Sequence, residues 1–177
     1  LLPAENLQKI DLSSFSAILD EKKDSKLFRP TLYDFLAHSA IDFYSSSAAG
    51  ITNAADQWKP DKTEYFAASE RFCTLEIPEE KAHTQAAKIV KIYQDLIKFH
   101  LTDKDPQALI DVELQRLNWV KNNIVIENPN GHYFNALNSF KQRYNDSPHS
   151  ANIAFELARY HNMIASGYNP HAGDEFR

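Results

Sequence analysis

Apolar residues return along most of this chain at three- and four-residue steps, the period of a helix that buries one face. The first clear run is Leu32, Phe35, Leu36, Ser39, Ala40, Phe43 and Tyr44. Pro30 ends what precedes it, and Thr31 with Asp34 has the form of a capping box built with the shorter acid. Ser45-Ser46-Ser47 and Gly50 close this helix. A second face is formed by Ala82, Ala86, Ile89, Val90, Tyr93, Ile97, His100 and Leu101, following a start at Ile77-Pro78-Glu79-Glu80. Asp105-Pro106 supplies an N-cap and a proline at the first helical position, and the helix it opens carries Leu109, Ile110, Leu114, Leu117, Trp119, Val120 and Ile124. Asn128-Pro129-Asn130-Gly131 reads as its stop. The pattern predicts helices near 31–46, 80–102, 106–126, 131–145 and 149–166.

Two stretches are less regular. Residues 1–28 carry a weak apolar pattern and then the charged run Asp20 to Lys26, which reads as a lead-in arm to a helical domain over 29–177. Residues 51–79 hold a turn at Trp58-Lys59-Pro60-Asp61 and the aromatics Tyr65, Phe66 and Phe72. A stretch of that length normally packs its aromatics onto neighbouring helices.

The last third is the most patterned. Tyr133, Ala136, Leu137, Phe140 and Tyr144 precede Ser147-Pro148, and Ala151, Ala154, Leu157, Ala158, His161 and Ala165 follow. This order resembles the second helix of a tetratricopeptide repeat running into the first helix of the next. Small alanines let neighbouring helices approach while aromatics fill the grooves. The expected fold is therefore all-α, with antiparallel helix hairpins stacked as a short tetratricopeptide-like array.

Composition narrows the function. The four glycines are few for a sheet-rich chain of 177 residues, which would spend more on tight turns. A net charge of −5 leaves no basic footprint for nucleic acid or an anionic membrane surface. No apolar run approaches the roughly 20 residues of a bilayer span. Leu1-Leu2-Pro3-Ala4-Glu5 lacks the form of a signal peptide. With no initial methionine, and an end at Asp174-Glu175-Phe176-Arg177, both ends read as cut from a longer chain.

Candidate chemistry is sparse. Cys73 is the single cysteine and lies among apolar neighbours in Arg71-Phe72-Cys73-Thr74-Leu75, the setting of an inert buried thiol. Asp34 and His38 are four apart on one helix face, and Glu156 and His161 are five apart, yet neither pair has a third ligand at zinc-site spacing. Neither a Gly-rich phosphate loop nor a nucleophile elbow occurs. No catalytic, cofactor or metal residue is assigned, and the chain is expected not to be an enzyme. Trp58 in its turn and Tyr65 are the residues expected to form an exposed contact surface.

The run Phe28-Arg29-Pro30-Thr31-Leu32-Tyr33-Asp34-Phe35-Leu36-Ala37-His38-Ser39-Ala40-Ile41-Asp42-Phe43-Tyr44 resembles a stretch near the start of large alpha-2-macroglobulin-like proteins of anaerobic Gram-negative bacteria. In that family a helical region carrying Arg-Pro-Thr-Leu-Tyr-Asp-Phe-Leu-Ala-His precedes macroglobulin-type β-sandwich domains. Gly167-Tyr168-Asn169-Pro170 and Gly173-Asp174-Glu175-Phe176-Arg177 resemble the same family's exit from a helix pair. The resemblance implies a parent protein of the protease-trapping kind, but no inhibitory residue is carried over. Cys73-Thr74-Leu75-Glu76 does not match the family's Cys-Gly-x-Gln thioester, and Arg29 to His38 read as structural.

The expectation is a non-catalytic interaction or structural module of such a protein, implicated in protease inhibition. Its partners would be the parent's other domains, with proteases or envelope proteins as further candidates, and neither nucleic acid nor a membrane span. The setting would be periplasmic, cell-envelope or secreted, with the signal upstream. The alternative is a glycan-binding helical-repeat protein resembling the outer-membrane starch-utilisation lipoproteins, motivated by Trp58 and the tyrosines.

Overall fold

The computed structural model describes residues 3–19, 25–46 and 58–167. In chain order these form α1 (Ala4–Leu7), α2 (Ser25–Phe28), α3 (Leu32–Ser45), α4 (Ser69–Phe72), α5 (Gln85–His100), α6 (Gln107–Asn123), α7 (Pro129–Arg143) and α8 (Ser150–Ser166). Single 3-10 turns lie at Leu12–Phe15, Thr63–Phe66 and Glu79–Lys81. Among the described residues the protein is all-helical, and its one β-type pairing is an isolated antiparallel bridge between Asp11 and Thr31.

The five long helices match the predicted positions, and their ends follow local chemistry. Thr31 caps α3: its Oγ1 accepts from the Asp34 amide at 3.3 Å while Asp34 Oδ2 accepts from the Thr31 amide at 2.9 Å. Asp105 Oδ1 accepts from the Gln107 amide at 3.1 Å and so caps α6 from one residue before Pro106. Two starts depart from expectation. Pro78-Glu79-Glu80 opens only a 3-10 turn, and α5 begins after Thr84, whose hydroxyl accepts from the Ala87 amide. Asn128-Pro129-Asn130-Gly131 does not stop α6, which ends at Asn123, but starts α7. Asn128 adopts a left-handed conformation (φ 48°) with its Oδ1 accepting from the Gly131 amide, and a Cβ at Gly131 would collide with that side chain. A side chain at position 131 would displace the Asn128 cap.

Consecutive long helices pack on one another: α3 on α5, α5 on α6, α6 on α7 and α7 on α8. Helix α6 is central, since it also contacts α2 and α8. Its side chains Leu109, Val112, Leu117 and Val120 join Val90, Leu96 and Ile97 of α5 and Leu137 of α7 in one buried core. A smaller cluster of Ile110, Phe140 and Ile153 closes the junction of α6, α7 and α8.

The described part of the lead-in arm lies on this core. Leu12 is buried, the Leu12 amide donates to Pro30 O, and the Leu32 amide donates to Ile10 O, each at 2.9 Å. These bonds hold the arm against the start of α3. The expected closing residues Ser47 and Gly50, most of the run Asp20 to Lys26, positions 51–57 and the tail from Tyr168 lie outside the described residues.

The faces of α3 and α8 differ from those predicted. Helix α3 buries Asp34, Ala37, His38 and Ile41, while Leu36, Ser39 and Phe43 of its expected face are exposed. Helix α8 is turned as well. Ile153, which the alanine pattern left out, is 0% exposed, and Leu157 and Tyr160 continue its line at four- and seven-residue steps. Ala151, Ala158, His161 and Ala165, expected to pack inward, are exposed. Those positions lie roughly 80–160° round the helix axis from Ile153. Burying the branched Ile153 and the Tyr160 ring removes more apolar surface than burying alanines, so the larger side chains decide which way α8 faces.

Candidate functional site

Trp58 and Tyr65 meet, but not as an exposed pair. Their rings lie edge to face with centroids 6.1 Å apart. Tyr65 is 3% exposed, which corrects the expectation of a surface residue. The cause is a buried cation. Arg116 of α6 donates from Nη1 to Tyr65 O at 2.6 Å and from Nη2 to Ala67 O at 3.1 Å, drawing the 63–67 segment down onto the helix. A backbone bond from the Val125 amide to Pro60 O, 2.8 Å long, ties the same segment to the end of α6. Trp58 is half-buried. It lines a cleft of about 240 Å³ with Tyr44, Trp119, Gln85 and Asn123, so aromatic faces and side-chain amides share one opening.

The residues of the Arg29–His38 motif take identifiable places. Asp34 and His38 are buried, and Ala37, with Ile41 just beyond the motif, enters the core. Asp34 Oδ1 lies 2.7 Å from His100 Nε2, at the far end of α5. His100 Nδ1 lies 2.7 Å from Asp103 Oδ2. Both carboxylates are acceptors, and neutral imidazole has a single N–H, so two such bonds are made by the imidazolium. Burial opposes charge at both centres. The bonds from Asp34 and Asp103 nevertheless raise the His100 pKa, and those from His100 and Thr31 hold the Asp34 carboxyl below its usual range. His38, one turn along α3, is in the opposite condition: burial, then the charge of Arg29, pushes its pKa down to about 4.

The remaining expected candidates are engaged elsewhere. Asp34 spends its carboxylate on Thr31 and His100, so it does not pair with His38. Glu156 accepts from Arg159 at 2.9 Å, and His161 lies edge-on against Phe134. No group of three His, Cys, Asp or Glu that could hold a metal ion occurs among the described residues. Cys73 is buried, its Sγ 3.5 Å from Gln94 O, and burial pushes its pKa up to about 11. The thiol is the poor nucleophile its apolar neighbours indicated.

Two buried charges were missed at the level of sequence. Glu113 and Arg116 are buried in the middle of α6, with Arg116 Nε donating to Glu113 Oε2 at 2.6 Å. The available signal was an acid and a base three residues apart inside an apolar helical run, a spacing that brings the two side chains together.

Surface apolar side chains concentrate on two helices. Leu36 and Phe43 are exposed on α3, and Phe155, Met163 and Ile164 on α8, where Phe155 is 64% exposed beside the alanine stripe. Compared with known proteins, the chain matches no family model, and no curated protein or solved structure is significantly similar to it.

Proposed function

We propose that this chain is a non-catalytic interaction module from an alpha-2-macroglobulin-like protein, docking through α8 onto a neighbouring part of its parent. The observation that carries this reading is the outer face of α8. A helix whose exposed side presents Ala151, Ala158 and Ala165 beside Phe155 has the small-residue track and the large anchor that a packed partner helix uses. The contact of α6 with α8, bridged by α7, is what hairpins stacked as a tetratricopeptide-like array require.

The motif from Arg29 to His38 is consistent with a structural task. Its cap starts α3, its buried acid joins α3 to His100 of α5, and its histidine is buried in the fold. Protease trapping needs a cleavable bait, and this module acts as a rigid contact surface beside one. Its setting is periplasmic, cell-envelope or secreted.

The first check is the open reading frame around the chain, which should encode macroglobulin-type β-sandwich domains downstream. The 177-residue chain should then bind those domains in isothermal titration, and Phe155→Asp should weaken binding at least tenfold. The chain alone should leave a panel of secreted proteases fully active on a protein substrate. Stoichiometric protection of that substrate, or a reading frame without such domains, ends this proposal.

A second reading rests on the Trp58 cleft. Aromatic faces next to the amides of Gln85 and Asn123 suit a sugar ring, which stacks its apolar face and hydrogen-bonds through its edge. Tight binding of oligosaccharides that is lost in Trp58→Ala would favour the glycan-binding alternative.

A further inference from the structure

A second cavity of about 440 Å³ opens between α6, α7 and the 63–69 segment. Its walls are mixed: Phe66, stacked on His132, lines it together with Leu117, Ala136 and Phe140 and the polar Asn135 and Ser139. Its inner end holds the Glu113–Arg116 pair, 1% and 2% exposed. Arg116 is fully occupied with Glu113 Oε2 and two backbone carbonyls. Glu113 is not. Its Oε1 is buried and has no hydrogen-bond partner among the described residues. An unmet carboxylate oxygen away from water is a costly arrangement that native folds rarely leave standing.

The charges around the opening are otherwise spent. At the mouth Arg143 forms a two-pronged pair with Glu70, one arm being Nη1 to Oε2 at 2.8 Å, and this pairing pulls the Glu70 pKa down to about 2. The one other ionisable acid on the lining is Glu64, exposed at the lip. The cavity therefore combines an apolar patch, the partnerless Glu113 Oε1 among its lining and one further acid, Glu64, at the lip.

We infer that this cavity binds a ligand with a short apolar stem and a positively charged head, an alkylammonium group whose N–H donates a hydrogen bond to Glu113 Oε1. A carboxylate ligand is repelled by Glu113 and Glu64. A neutral alcohol satisfies the oxygen but gains no charge pairing in a site of low dielectric. This inference is independent of the docking face on α8, which lies on another helix surface.

The test uses the 177-residue chain labelled with nitrogen-15 and titrated with n-pentylammonium, n-pentanol and pentanoate in turn. Pentylammonium should shift the amides of Ser69, Ala136 and Ser139 saturably, pentanol should bind at least tenfold more weakly, and pentanoate should leave these amides unmoved. Ala136→Met, which fills the cavity from α7 without touching the ion pair, should abolish the shifts while leaving the rest of the spectrum in place. Glu113→Gln, where it folds, should erase the preference for the ammonium over the alcohol. Equal binding of all three probes, shifts confined to other surfaces, or pentylammonium binding unaffected by Ala136→Met would overturn the inference. So would an absence of any saturable shift, which would mean that water alone satisfies Glu113 Oε1.

Discussion

Asp34 at the start of α3 holds His100 at the end of α5 through a 2.7 Å contact, across 66 residues of sequence. The same carboxylate closes the capping box with Thr31, so one side chain both starts a helix and joins it to another. The buried His100 is held from its other side by an exposed acid: Asp103 takes its second nitrogen at 2.7 Å.

Asp34→Ala should therefore cost more than the loss of a cap. Losing a cap costs about 1 kcal/mol, and removing one partner of a buried ion pair costs roughly 3–5 kcal/mol. Urea unfolding should show a combined loss at the upper end of that range. A loss below about 1 kcal/mol would mean the pair contributes nothing beyond the cap.

Stability should fall on both sides of neutrality, for different reasons. The raised pKa of His100 means the folded state holds its proton more tightly than the unfolded chain. Its contribution is complete below the unfolded value near 6.5 and is lost as pH rises through the folded value. His38, depressed to about 4, works the other way: the unfolded chain takes up a proton first, so stability declines between about pH 6.5 and 4 by on the order of 3 kcal/mol. The lowered pKa of Asp34 adds a further loss as pH falls through its folded value, below the usual carboxylate range. Urea midpoints measured from pH 4 to 9 should show a maximum at or just above neutral. His38→Gln should flatten the acid arm and His100→Gln the alkaline arm, and an unchanged profile in both would remove the assignment.

The orientation of α8 can be tested with two substitutions two positions apart. Ile153→Ala should destabilise by roughly 2–5 kcal/mol, since it opens a cavity between α6, α7 and α8. Phe155→Ser should change stability by no more than about 0.5 kcal/mol, because that ring is exposed. The reverse order would turn the alanine stripe inward.

Cys73 should resist modification in the native protein. A buried thiol raised to about pKa 11 offers little thiolate and little access. Labelling with a disulfide reagent at pH 8 should be slow without denaturant and complete in urea. Rapid labelling of the folded chain would place the thiol at the surface.

Much of this architecture could be read along the chain. The long helices, the Thr31–Asp34 box, the Asp105 cap and the buried thiol are all local, because helix period and capping involve residues within one turn of each other. What required the third dimension was every choice between faces and every distant partner. The alanine stripe and the Ile153–Leu157–Tyr160 line both fit a helical period on α8, and only competition for space against α6 and α7 put the larger side chains inside. Tyr65 was drawn inward by a guanidinium 51 residues away, and Asp34 was matched to a histidine at the far end of another helix. Sequence spacing sets which residues share a helix face, but the burial of a charge depends on a partner that only packing brings within hydrogen-bond reach.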